Sequence, residues 1–332
     1  MASIILSEAS GKLAALYGEY QLPIASIIEH RAEAWEQESM VTKIFDERKS
    51  THASESYGGL TEVDAFAPVG EAAAYPVGGF EQGYFKDLRN VEWKGAIDIT
   101  RTLIEDAGEA EMRKRANKLV SDFYRKREMF FARLMATALN GATSFTLNGF
   151  TYSTTTADGV CAFSKTHKQK IKGKNQSNAY AADLTVDNLS KMITAMQNME
   201  DDDGNILGLV PDTLVIPNIA SLKTAAYGIF GSEKLPGSGN NDANMLYGNM
   251  QVIVWPYLNQ FITAGTSPWF IMDSNFNKEA DCAIFQNRVD LTIEDMLTDN
   301  DVYRWKGRAR YTGGFVDFRG LMAGGISGGT AI

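Results

Sequence analysis

Residues 109–140 read EAEMRKRANKLVSDFYRKREMFFARLMATALN, without Gly or Pro, and Gly141 follows directly. Apolar or small side chains at Met112, Ala116, Leu119, Phe123, Phe130, Leu134 and Ala138 keep the three-and-four spacing that lays one stripe along one face of an α-helix. At 1.5 Å per residue such a helix is about 48 Å long, more than a small domain is wide, so it needs something to lie along. Gly141 is the residue type that tolerates a left-handed C-terminal cap, which marks the stop.

The same stretch carries eight basic residues (Arg113, Lys114, Arg115, Lys118, Arg125, Lys126, Arg127, Arg133) and four acidic ones (Glu109, Glu111, Asp122, Glu128), a local balance of +4 in a chain of net charge −9. A solvated helix face has this composition too; the sharper reading is a surface turned toward anions, either acidic neighbours or a polyphosphate. The overall negative charge argues against a protein coated for nucleic acid. With 332 residues, 44% of them hydrophobic, the chain has material for two or more cores. No apolar run reaches membrane-spanning length and no basic flank precedes Ile4-Ile5-Leu6, so neither a span nor a secretory signal is read, and synthesis in the cytoplasm is expected. Cys161 and Cys282 have no ligand-spaced Cys or His nearby and read as two small buried hydrophobes.

Working outward, residues 1–50 form an arm whose best helix is Ile24–Trp35, with Pro23 at the first turn. Residues 51–99 are rich in Gly, Pro and Ala and end in two strand-like runs, Gly79–Phe85 and Arg89–Ile99, read as a hairpin carrying Phe80, Tyr84, Phe85 and Trp93. An isolated two-stranded hairpin is marginal in water, so these aromatics need a partner. After the long helix, residues 143–182 are polar and loop-like. An α/β unit follows. Thr185 caps a helix striped by Leu189, Met192, Ile193, Met196 and Met199, and Thr213–Ile216 is a buried strand closed by Pro217. A helix over residues 218–227 and strands at Gln251–Trp255, Trp269–Asp273 and Cys282–Gln286 complete a mixed sheet covered by helices. Arg288–Glu294 and Val302–Phe318 alternate as half-buried strands, and the small, Gly-rich segment 323–332 reads as a mobile end.

This order of parts resembles the major capsid protein of tailed bacteriophages, the Hong Kong 97-type coat fold, over nearly the whole chain. Asp158-Gly159, Phe163-Ser164 and His167 are similar to a signature that follows the spine helix in Mu-like head subunits, and Gln176-Ser177-Asn178 and Leu209–Pro217 continue it. Lys168 stands where that family often has Pro. Trp305–Arg308 through Asp317-Phe318-Arg319-Gly320 is similar to the family's final strand. The resemblance implies an α+β fold with an N-terminal arm (1–50), an extended hairpin loop (51–99), a peripheral domain with the spine helix (100–184 and 287–322), an axial α/β domain (185–286) and a flexible tail (323–332). It implies a head protein that assembles through hexamers and pentamers into an icosahedral shell around double-stranded DNA. The expected partners are many copies of itself, a scaffolding protein, the portal, a decoration protein and, non-specifically, the packaged DNA. An encapsulin-like compartment or a phage-tail-like particle component is the alternative within the same fold. Phe80, Tyr84, Phe85, Trp93, Arg113 and Arg125 are the candidate contacts between subunits. Some relatives join subunits through a Lys on the extended loop; Lys86 and Lys94 are the only lysines there, and no cross-link is expected.

A hairpin too apolar to stand free, a thin arm and an overlong helix are awkward in a monomer and sensible in a lattice of copies. Fifty residues of arm are too few for a fused scaffolding segment, so a separate scaffolding protein is expected. A cytosolic α/β enzyme and a nucleic-acid module using the Arg113–Arg133 face are the competing classes. Gly325–Gly329 has the five-residue pattern of a nucleophile elbow but no following helix, so Ser327 is not taken as catalytic. Gly11-Lys12 and Gly173-Lys174 lack the rest of a phosphate loop. Asp201, Asp203, Asn205 and Asp212 are spaced as in a calcium loop, but Ile206 occupies the place that needs Gly. His30, His52 and His167 have no acid or nucleophile spaced for a triad. No catalytic residue, cofactor or metal is therefore assigned.

Overall fold

The computed structural model describes residues 5–7, 30–60, 66–71, 74–77, 79, 82–234, 242–298 and 302–332. In chain order the elements are β1 (Ile5–Ser7), α1 (30–38), α2 (Val41–Ile44), β2 (Asp46–Lys49), β3 (Ser54–Leu60), β4 (Gln82–Arg89), β5 (Val91–Thr100) and α3 (Arg101–Leu139). Then come β6 (Ser144–Leu147), β7 (Phe150–Ser153), β8 (His167–Lys168), β9 (Asn175–Gln176), α4 (Val186–Gln197), β10 (Thr213–Pro217) and α5 (Ala220–Gly231). The last are β11 (Gln251–Trp255), β12 (Trp269–Met272), α6 (Ser274–Glu279), β13 (Ala283–Leu297), β14 (Val302–Phe315) and β15 (Leu321–Gly324).

The opening stretch folds as α3, 39 residues long, which at the helical rise is about 58 Å. It starts earlier than the stripe indicates because β5 runs straight into it and Gly108 is carried inside the helix. Its stop is the expected one. Gly141 has φ +74° and its N–H donates to the Ala138 carbonyl at 2.9 Å, which satisfies one carbonyl of the last turn.

The chain packs as two units: Met1–Glu55 with Leu88–Phe131 and Phe285–Gly313, and Ser56–Asp87 with Ala132–Ile284 and Gly314–Ile332. In the first, β14 lies between β13 and β5, pairing antiparallel with β5 from Val302 opposite Thr100 to Tyr311 opposite Val91. On its other side β13 pairs with β1, parallel, Ile5 opposite Thr292, and also with β2. Alternation along these strands turns Trp93 and Tyr311 the same way, where they stack at 4.9 Å; Phe130 of α3 meets Trp93 edge-on at 5.2 Å. Phe131 sits 4.8 Å from Phe45 and 5.0 Å from Phe285.

The described part of the arm, expected to lean on other copies, lies on its own α3. Trp35 stacks on Tyr124, Ala32 is buried, and Arg127 makes a two-pronged ion pair with Glu36 at 2.7 and 2.9 Å. Glu128 accepts from Ser39 Oγ at 2.5 Å and from the Met40 N–H at 3.0 Å, holding the start of α2. Residues 24–29 of the expected arm helix lie outside the described residues.

The expected hairpin of Gly79–Phe85 with Arg89–Ile99 does not form: β4 pairs with β3, and β5 pairs with β14. Only Asn90 separates β4 from β5, too little chain to reverse direction. Asn90 is buried and fixed, its N–H donating to the Ala53 carbonyl and its amide to Ser50 Oγ and the His52 carbonyl. The hairpin of the extended loop is β3–β4.

In the second unit a mixed four-stranded sheet has the order β11-β10-β12-β15, with β10 parallel to β11 and antiparallel to β12. Its core gathers Leu189, Met192 and Met196 of α4, Leu222, Ala226 and Ile229 of α5, and Leu214, Ile216, Trp269 and Ile271 of the strands. Thr185 Oγ1 accepts from the Asn188 N–H at 3.2 Å, the expected cap of α4. The stretch 323–332, expected to be a mobile end, is docked instead. Leu321–Gly324 completes the sheet beside β12, Tyr180 N–H donates to the Ala323 carbonyl, and Thr330 N–H donates to the Ala179 carbonyl. Gly324 and Gly329 serve close approach: a Cβ on Gly324 would meet Trp269 Cε2 at 2.4 Å, and one on Gly329 the Tyr180 backbone at 2.6 Å. Cys161 and Cys282 are both buried and unpaired with each other, as expected. Among the described residues no helix is long and apolar enough to cross a membrane.

Candidate assembly surfaces

The motif residues Asp158, His167 and Asn178 build an internal polar hub of the second unit. His167 is fully buried, its ring stacked on Phe318 at 3.9 Å, with Nδ1 2.7 Å from Asp158 Oδ2. Burial alone would push the Asp158 carboxyl up; hydrogen bonds from His167, Thr156 and the Val160 N–H outweigh it and hold the group below the usual carboxylate range. Asp158 is therefore ionised at neutral pH and accepts the Nδ1 proton. Asn178, also fully buried, accepts from the Ser164 N–H and presents its amide to the carbonyls of Ala162, Phe318 and Leu321. These residues join the loop after β7 to the final strand.

The calcium-like spacing resolves into local structure. Asp201 accepts from the Asn205 N–H at 2.7 Å, closing its own turn, while Asp212 accepts from Ser274 and Thr213. Ser327 lies in the docked tail, with no helix after it.

Of the six residues expected between subunits, Phe85 is 59% exposed on the outer face of β4. Tyr84 faces the other way, half-buried, with Lys170 Nζ 4.9 Å from its ring centre. Trp93 is taken up inside its own unit, its Nε1 donating to the Tyr311 carbonyl at 3.3 Å. Arg125 is exposed and pairs with Asp122 at 2.8 Å. Phe80 and the side chain of Arg113 lie outside the described residues. The basic character of α3 divides along its length. Lys114, Lys118, Arg125 and Lys126 are exposed, Arg127 is turned inward to Glu36, and Arg133 covers the Phe145 ring. Of the loop lysines, Lys94 is exposed beside Glu92 at 3.0 Å, whereas Lys86 donates to the Thr155 carbonyl.

The most exposed apolar side chains are ones the hairpin reading passed over: Phe66 is 101% exposed, Tyr75 92% and Val77 94%. They occupy the Gly- and Pro-rich connection between β3 and β4, in the paired phrases Phe66-Ala67-Pro68-Val69-Gly70 and Tyr75-Pro76-Val77-Gly78. That repetition of aromatic, Pro, Val and Gly in a segment without a core of its own was the available signal. Burying such a side chain is worth about 1.5–3 kcal/mol, so leaving three in water is costly for an isolated chain.

A family model described as phage capsid protein matches residues 88–323. No curated protein matches the chain. Among solved structures, the capsid of Ralstonia phage GP4 is 14% identical, covers 84% of this chain and 86% of its own, and superposes with a TM-score of 0.54. A chain of Mycobacterium phage Patience is 11% identical, with 100% and 94% covered and a TM-score of 0.50. At that identity the structures speak for the fold, which is the Hong Kong 97-type coat fold expected from the order of parts. The family match extends the conclusion to role: the chain belongs to the phage capsid protein family and is a major capsid protein of the head shell.

Proposed function

We propose that this subunit assembles through hexamers and pentamers into an icosahedral shell around the double-stranded DNA of a tailed phage. The observation that carries the proposal is the loop between β3 and β4, where Phe66, Tyr75 and Val77 stand in solvent. In a closed shell each copy offers this loop to the next, so a modest contact repeats many times and holds the whole while single contacts stay reversible. Phe85, on the outer face of the same hairpin, extends the surface.

In this reading residues 185–286 meet their copies around the symmetry axes and residues 100–184 with 287–322 form the periphery. The part that reaches neighbours is the loop between β3 and β4. Scaffolding protein, portal and a decoration protein are the further partners, and the exposed cations Lys118, Arg125 and Lys126 give packaged DNA a weak, sequence-independent contact. The role is structural, with no catalytic step. Lys86 is engaged by its own chain and Lys94 by Glu92, which supports a shell without covalent links. Boiled mature particles are expected to run as a single subunit band on denaturing electrophoresis; a ladder of multiples would refute that part.

Light scattering and negative-stain microscopy of the purified chain, with scaffolding protein supplied, test the main claim. Closed shells are expected. A small species under every assembly condition would overturn it.

A further inference from the structure

The root of the extended loop has an unusual support. Along β4, Gly83 is buried, Tyr84 and Lys86 are half-buried, and Phe85 and Asp87 are exposed, so Tyr84 and Lys86 share the inner face. That face borders a polar cavity of about 310 Å³, lined by Gly83 and Tyr84 together with Asp158, Asp202 and Arg319. Here polar contacts hold the strand.

Two of those contacts run in opposite directions. Lys86 reaches out of β4, donating to the Thr155 carbonyl with Ser153 Oγ at 3.5 Å. Lys170 reaches onto β4 on this same face, donating to the Gly83 carbonyl at 3.0 Å and covering the Tyr84 ring. Lys170 is itself positioned. Its N–H donates to Asp202 Oδ1 at 3.0 Å, and Arg319 holds the same oxygen at 2.8 Å. The β8–β9 hairpin that carries it is tied by Lys174 to Glu200 at 2.5 Å and by Gln176 to the Glu200 carbonyl at 3.0 Å.

We propose that Lys86 and Lys170 form a two-point clamp on the root of the extended loop, fixing the direction in which the loop leaves and so the placement of its exposed side chains on a second copy. The clause about a second copy rests on the shell reading; the clamp itself does not. Because its contacts are polar and border a cavity, the clamp opens without disrupting an apolar core, which suits a part that must adjust while a shell closes.

Its pH response follows from what faces Lys86. Burial pushes the ammonium down to about 8, opposed by Asp158 and Cys161. Tyr84, on the same face, senses Asp158 and Asp202, and its hydroxyl is raised by burial. His167, Lys170 and the cavity-lining Lys168, Asp201, Glu279, Asp281, Asp317 and Arg319 are the other titratable groups at the root. With the clamp open, Lys86 returns toward its ordinary value of 10.5. Between about 8 and that value the open form binds more protons, so the closed clamp gains as pH rises through this window and carries its full desolvation cost below it.

The test is hydrogen exchange by mass spectrometry on the unassembled full-length chain, read as protection factors over residues 82–87, followed by assembly of the same samples. Lys170→Ala is expected to lower protection there about tenfold, the worth of one good hydrogen bond, leaving the thermal midpoint nearly unchanged. Lys170→Gln, which keeps a donor but loses the charge over Tyr84, is expected to fall between. Lys86→Met, which removes the donor to the Thr155 carbonyl, is expected to lower protection over 82–87 and to abolish its rise between about pH 8 and 10. Lys94→Ala is the control. Protection over 82–87 within twofold of wild type in both Lys170 variants would overturn the clamp, as would an unaltered pH response in Lys86→Met. If wild type fails to form shells while the protection changes appear, the shell reading falls and the clamp stands.

Discussion

Asn178 shows how much a single buried polar group decides. Its one side chain satisfies a backbone N–H from Ser164 and donates to the carbonyls of Ala162, Phe318 and Leu321, of which the Phe318 carbonyl also accepts from the Leu321 N–H. Asn178→Ala takes these buried bonds away and is expected to cost about 3 kcal/mol, read as a lowered midpoint in denaturant unfolding of the subunit. Gly324→Ala acts by the opposite mechanism. Its Cβ meets the rigid Trp269 ring at 2.4 Å, so overpacking of about 2 kcal/mol is expected in the same measurement, whereas a frayed tail would give no change. Asp158 adds a pH signature. Its folded-state carboxyl lies below the ordinary value of 3.8, so its contribution is complete above that value and disappears as pH falls through the lower one. Asp158→Asn is expected to flatten that acid limb. At this scale the sequence was partly legible. Asp158, His167 and Asn178 stood out as a motif, but their roles depend on Phe318 and Leu321, about 140 to 160 positions away, and no spacing rule reaches that far.

Elements were legible where their own side chains dictate them. The α3 stripe, the Gly141 cap and the Thr185 cap are local chemistry, and each was found where the residues placed it. Gly141→Ala must force a Cβ residue into φ +74°, and a loss of about 1 kcal/mol is expected from thermal unfolding. Pairing was less legible. The runs around Tyr84 and Trp93 are strands, but β4 finds β3 and β5 finds β14, two hundred residues on, because Asn90 permits no turn. Cys282–Gln286 and Arg288–Glu294 looked like separate strands and are one, β13, since Asn287 continues the extended backbone. The tail misled for a related reason. Glycines that let backbone approach a Trp ring have the same letters as glycines that let a chain move.

For the whole molecule, the sequence pointed to apolar and elongated parts in excess of what one chain covers, and the structure moves where that excess lies. Trp93 and the described arm are satisfied at home, on Tyr311 and on α3. Among the described residues the most exposed apolar side chains are Phe66, Tyr75 and Val77 of the β3–β4 loop, with Phe85 on the same hairpin and Met245, Val210 and Ile206 elsewhere in the second unit. The claim that identical copies complete this architecture is tested most directly by a cryo-electron-microscopy map of particles assembled from the purified chain. Shells are expected in which Phe66, Tyr75 and Val77 of each subunit are covered by an adjacent one. A map in which those side chains fold back on their own chain, or remain in solvent, would contradict it.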